Sequence, residues 1–281
     1  MIGQAERLIE LDKLSAGNTN LPLKKVITFS SGKGGTGKTF LSLNFAFALS
    51  LINKKVLYLD LDLNFSNSNI FLNIIPKYTI DHFLGRKKLF KEIIHEYNPN
   101  LHFIFGESGN AQTSDLSEEN LKMLFTFLAN KTSGYDFIII DTGSGGHRAQ
   151  IKLLSFAAVN VIVTNAEPTA IMDAYVLIKL LNANKYEGKN YILMNKCSDK
   201  GESYSAFKNI ETASIHFLGE NIKLLGMIAV DDIVGKTVTS QELLVENYPN
   251  HSLSKKIKEL SSVLADITQM ANIPQRSDIK L

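Results

Sequence analysis

The residues Gly32-Lys33-Gly34-Gly35-Thr36-Gly37-Lys38-Thr39 leave this chain few folds to choose from. An apolar run, Val26 to Phe29, leads into them, and an apolar helical pattern, Phe40 to Leu51, leads out. Strand, glycine loop and helix form the setting in which the spacing G-x-x-x-x-G-K-[ST] cradles phosphates. The glycines let successive backbone N–H groups turn toward one point. The helix that follows adds its positive N-terminal end. On this reading Gly34, Gly35, Thr36, Gly37, Lys38, Thr39 and Phe40 contact a nucleotide. Lys38 reaches the β- and γ-phosphates, and the Thr39 hydroxyl ligates Mg²⁺.

Two further strands should end beside that loop. Val56 to Asp62 is apolar on both faces, as a strand in a parallel sheet requires, and closes on two carboxylates. In open α/β sheets the chemistry sits at the carboxyl ends of strands. Asp62 is therefore expected to orient an attacking water, and Asp60 to support the loop or join the Mg²⁺ shell. Tyr135 to Asp141 is the most strand-like run in the chain, and Asp141 at its end is the second expected Mg²⁺ carboxylate. Thr142-Gly143-Ser144-Gly145-Gly146 then turns beside the phosphates.

The remaining segments alternate in kind. Strands are expected at Leu101–Phe105, Asn160–Thr164, Tyr191–Met194 and Ile222–Val230. Helices are expected at Ile80–Leu84, Leu89–Tyr97, from a Ser117 cap through Ala129, after Pro168 through Leu181, at Ile233–Glu246 and at Ser252–Met270. Asn195 ends a strand; its amide can pair with an adenine edge or satisfy a turn. The alternation predicts an α/β fold: one doubly wound, mostly parallel central sheet with helices on both faces, over residues 24–271. An amphipathic docking helix at 1–14 and a linker at 15–23 precede it, and a disordered tail at 272–281 follows.

Composition excludes several classes. The single cysteine, Cys197, rules out an intramolecular disulfide and any cysteine-pair metal site, including the thiolate sets that iron–sulfur scaffolds need. It also suits a reducing cytoplasm. The net charge of +2 does not argue for nucleic acid, whose nonspecific binding needs a basic surface. No apolar run reaches transmembrane length.

Four stretches make the chain resemble a known family. The loop with its extra lysine, Lys33, resembles the deviant K-G-G-x-x-K-[ST] loop of the MinD/ParA ATPases. Asp60-Leu61-Asp62 with Asn67, and Asp141-Thr142-Gly143-Ser144-Gly145, resemble two more motifs of that group. Glu167-Pro168-Thr169-Ala170-Ile171-Met172-Asp173-Ala174-Tyr175 is similar to E-P-T-A-I-T-D-A-Y of its FlhG (FleN/YlxH) branch.

The resemblance implies a Mg²⁺-dependent ATP hydrolase that works as a dimerisation switch in flagellar number and placement. A positioning or partition ATPase of another system is the alternative. It implies a homodimer in the ATP state, with Lys33 reaching the partner subunit's nucleotide. Lys33, Lys38 and Asp62 are then catalytic, and Asp231 lies beside the adenine where the family has I-P-x-D. The family's N-terminal D-Q-A-x-x-L-R engages the GTPase FlhF. Gln4, Ala5 and Leu8 match it, while Gly3 and Ile9 replace its charged ends. Flagellar basal-body proteins are further implied partners. Residues 272–281 lack the large apolar residues of an interfacial helix, so recruitment to membrane or pole would run through partners.

Overall fold

The computed structural model describes residues 23–62, 66–106 and 117–270. The expected docking helix at 1–14, residues 15–22 of the linker, the tail and parts of two loops (63–65 and 107–116) lie outside the described residues.

Eight strands form one sheet. They are β1 (Leu23–Ser31), β2 (Val56–Leu61), β3 (His95–Asn98), β4 (Leu101–Ile104), β5 (Phe137–Ser144), β6 (Ala157–Thr164), β7 (Lys189–Cys197) and β8 (Lys223–Ala229). Their spatial order is β3-β4-β2-β5-β1-β6-β7-β8, parallel except for the antiparallel β3–β4 pair. The doubly wound, mostly parallel sheet expected from the alternation of elements is the one observed. β1 is central, between β5 and β6. The chain leaves it for β2 on one side and returns through β6 on the other, which opens a crevice at the carboxyl ends of β1 and β5.

Burial on both faces explains the composition of these strands. In β5, Phe137 and Ile139 enter one hydrophobic cluster while Ile138 and Ile140 enter another, as a period of two demands. On the first face lies α1 (Lys38–Leu51), buried from Phe40 to Ser50. It is buried all round because α9 (Leu244–Asn247) and α10 (Ser252–Met270) pack over its outer side. Its one buried amide is engaged through both atoms: Asn44 Nδ2 donates to Phe40 O at 2.8 Å, and Asn44 Oδ1 accepts from Val245 N at 2.9 Å. The opposite face carries α3 (Ile80–Leu84), α4 (Glu118–Lys131), α5 (Arg148–Ser155), α6 (Pro168–Ala183) and α7 (Lys200–Leu218). Between β2 and β4 the chain also makes the short α2 (Ser68–Phe71), and after β8 comes α8 (Asp232–Ser240).

Several segments differ from the sequence reading, the short α2 and α5 among them. Leu89–Tyr97 is not a helix: a 3-10 turn at Phe90–Glu92 gives way to β3, which pairs with β4. Alternating His95 and Tyr97 lay their rings against Phe105 and Phe103, so a sheet edge overrides the local helical pattern. Ile233–Glu246 is two helices: Gln241 takes a positive φ of 56° and ends α8, and α9 starts afresh. The helix α7 was not expected. Only Phe207 and Ile210 are large among its buried residues, the others being Ser203, Ala206 and Ser214, so its apolar stripe is short, and its tertiary contacts with α6 and β7 hold it.

Candidate functional site

The loop between β1 and α1 is shaped by two glycines. Gly37, the residue before α1, has φ 88°, a region open to glycine at little cost. A Cβ there would lie 2.4 Å from Asn195 Nδ2. At Gly32 a Cβ would lie 2.4 Å from the backbone of Asp173 in α6, which cannot step aside. The loop is thus wedged between α6 and the end of β7.

Below it, two donors converge on one carboxylate. Lys38 Nζ donates to Asp141 Oδ1 at 2.7 Å, and Thr39 Oγ1 donates to Asp141 Oδ2 at 2.6 Å. All of this is inside the protein: the Lys38 and Asp141 side chains are 8% and 1% exposed. Burial pushes the Asp141 carboxyl up to about 6, against the opposing pull of Lys38.

Asp60 stands beside Asp141 in register on β2. It accepts from Asp62 N at 3.1 Å, Ser66 Oγ at 2.8 Å, Ser68 N at 3.0 Å and Ser68 Oγ at 2.6 Å. These bonds, three on Oδ2 and one on Oδ1, make Asp60 the anchor of the chain entering α2. Asp62 lies at the cleft, where its carboxylate faces Gly143 at the end of β5: a Cβ on Gly143 would be 3.4 Å from Oδ1.

A cleft of about 440 Å³ opens over these groups. Gly34 to Phe40 line its floor, Asp62, Asn67 and Ser144 one wall, and Phe71, Val234 and Val238 an apolar end. Asn195 and Asp231 do not line it. Asn195 Nδ2 donates to Thr36 O at 2.7 Å from behind the loop, and Asp231 caps α8 by accepting from Ile233 N at 3.0 Å. Lys196 does line it, with φ 53° and its Nζ 2.8 Å from Gly35 O. Sequence reasoning missed Lys196; the signal was its place one residue past a strand-end asparagine.

Lys33 is set apart from Lys38. Its Nζ donates to Glu167 Oε2 at 2.6 Å and Thr169 Oγ1 at 3.1 Å, at the start of α6. The pair is 41% and 57% exposed. Glu167 is itself held by Asn165 Nδ2 at 3.0 Å, and the Lys33 ammonium keeps its carboxyl below the usual range.

These residues fit a nucleotide and its cation. The Thr36 hydroxyl is buried with no hydrogen-bond partner among the described residues, and buried hydroxyls are normally paired. Lys38 already occupies the space where positive charge meets Asp141. Among the described residues no group of three or more acidic, histidine or cysteine side chains could hold a metal alone. Thr39 and Asp141 offer oxygens of the kind Mg²⁺ takes, the rest of its shell being phosphate and water.

A strand, a glycine loop ending in Lys-Thr and a facing strand-end aspartate define a P-loop nucleotide-binding protein. Comparison with known proteins narrows the class. A family model described as an AAA domain matches residues 24–194. The antiactivator FleN of Pseudomonas aeruginosa is 29% identical over 238 residues, covering 84% of this chain and 85% of its own. The flagellum site-determining protein YlxH of Helicobacter pylori is 29% identical over 273 residues, covering 94% and 90%. The solved cell division ATPase MinD of Pyrococcus furiosus superposes with a TM-score of 0.74 at 21% identity, over 87% of this chain and 100% of its own. The chain belongs to the AAA domain family, within it to the FlhG (FleN/YlxH) branch of the MinD/ParA ATPases. Among the described residues no helix is long and apolar enough to cross a membrane.

Proposed function

We propose that this protein is an ATP-driven dimerisation switch with slow, Mg²⁺-dependent hydrolysis, acting in flagellar number or placement through partners that read its nucleotide state. The flagellar role follows the resemblance to FleN and YlxH. The switch rests on one observation: Lys33 turns away from its own phosphate loop, onto an exposed Glu167 and Thr169.

Lys38 and the loop amides bind the β- and γ-phosphates within one subunit. Thr39 and Asp141 would hold Mg²⁺, whose charge neutralises the phosphate oxygens. Asp62 orients the water whose oxygen attacks the γ-phosphorus as the bond to the β–γ bridging oxygen breaks. Lys33, leaving Glu167, supplies the second subunit's transition state with a cation, as an arginine finger does. Residues 1–14, outside the described residues, are the segment proposed to meet FlhF, and basal-body proteins are further candidate partners.

Lys33→Ala tests this reading. Nucleotide affinity by calorimetry is expected to stay at the parental value while ATP turnover falls to background. Parental turnover in the variant would make Lys33 a surface residue and remove the basis for the switch.

A further inference from the structure

The end of β7 is one residue longer than its neighbour can match. Met194 pairs with Met227 and Cys197 with Ala229, so β7 advances three residues where β8 advances two. Lys196 takes up the excess with φ 53°, in the left-handed region that L side chains enter at a cost. In a regular strand Asn195 and Lys196 would point to opposite faces. The bulge re-aims them, and both reach the phosphate loop: Asn195 Nδ2 donates to Thr36 O at 2.7 Å, and Lys196 Nζ donates to Gly35 O at 2.8 Å. Two successive side chains thus hold two successive carbonyls.

A trans peptide is planar, and its C=O and N–H point opposite ways. A carbonyl drawn toward β7 therefore sends the N–H of the same peptide to the far side. The Gly35 carbonyl shares its peptide with the Thr36 N–H, and the Thr36 carbonyl shares its peptide with the Gly37 N–H. Residues Gly35, Thr36 and Gly37 all line the cleft. Among the described residues neither of these N–H groups has a backbone acceptor. Thr36 is only 3% exposed, so its N–H and its unpaired hydroxyl are buried groups that call for one. Packing does not fix the first peptide: a Cβ on Gly35, at φ 78°, would meet nothing within 4 Å. A glycine so placed can turn its peptide over at little cost.

We propose that Lys196 is a positioning residue for the nucleotide: it holds the Gly35 carbonyl outward and so aims the Thr36 N–H at the β- and γ-phosphates. The proposal rests on the nucleotide reading above. Lys196 acts through the loop, since its ammonium is engaged by Gly35 O. A charged donor on that carbonyl also polarises the peptide and makes its N–H a stronger donor to an anion. The left-handed backbone at Lys196 persists because it brings this second donor to the loop.

The test uses the full chain in EDTA, with a fluorescent ADP analogue as the probe and ADP and AMP as competitors. Lys196→Met keeps the length of the side chain and removes the donor. Its affinity for ADP should fall about tenfold, the usual scale for losing one charge-assisted hydrogen bond, while its affinity for AMP, which has no β-phosphate, stays within about twofold. The ratio of parent to variant ADP affinity should be the same at low and at high salt. Parental ADP affinity in Lys196→Met overturns the proposal. So does an equal loss for AMP, which would mean a packing defect. A ratio that shrinks toward one at high salt also overturns it, because Lys196 would then act by its exposed charge on the phosphates themselves. A parent that binds neither nucleotide would instead sink the nucleotide reading.

Discussion

Gly37→Ala is the substitution whose cost can be worked from the backbone. An L-residue held near φ 88° carries strain of about 1–2 kcal/mol. The new Cβ would also lie 2.4 Å from Asn195 Nδ2, so the amide must leave Thr36 O, to which it donates at 2.7 Å. Losing that buried bond and stranding the acceptor costs about 1–3 kcal/mol. The sum, about 2–5 kcal/mol, is a large part of the stability of an ordinary domain. Urea denaturation of the nucleotide-free protein measures it. The diagnostic is the pair with Asn195→Ala. Asn195→Ala alone forfeits the same hydrogen bond, about 1–3 kcal/mol. If the clash acts through Asn195, the double variant should be no less stable than Gly37→Ala. Additive losses, or a Gly37→Ala variant within about 0.5 kcal/mol of the parent, would refute the wedge.

Lys38→Ala should abolish nucleotide binding by calorimetry, because the β- and γ-phosphates lose their buried cation; tight ATP binding would contradict its assignment. Asp62→Ala should keep ATP binding, accumulate dimer on size exclusion with ATP, and hydrolyse at background; unchanged turnover would move the water-orienting role to another group.

The sheet was readable because parallel strands buried on both faces leave uninterrupted apolar runs, as in Phe137 to Ile140. The loop was readable because phosphate binding needs a fixed spacing of glycine, lysine and threonine, and the structure does bring Lys38, Thr39 and Asp141 together. What local pattern could not show was partnership. β3 is a strand only because β4 offers an edge, and α7 is a helix whose buried side mixes Phe207 and Ile210 with Ser203, Ala206 and Ser214. Within the site, Asp60 and Asp62 have the same chemistry in sequence. Only the three-dimensional structure separates Asp60, which anchors the chain entering α2, from Asp62, which lines the cleft. Lys196 carries no motif, and its position emerges from the place of the end of β7 against the loop.

The claim that Lys33 acts across a dimer is tested most directly by mixing two inactive variants. Lys33→Ala lacks the lysine but keeps Asp62; Asp62→Ala lacks the carboxylate but keeps Lys33. If Lys33 serves the partner subunit's nucleotide, the mixed dimer holds one complete site, made of Asp62 from one chain and Lys33 from the other. ATP turnover should then reappear on mixing, though neither variant turns over alone. If Lys33 acts within its own subunit, no pairing restores a site. A mixture that stays at background while ATP-dependent association of the two chains is seen by sedimentation would contradict the account.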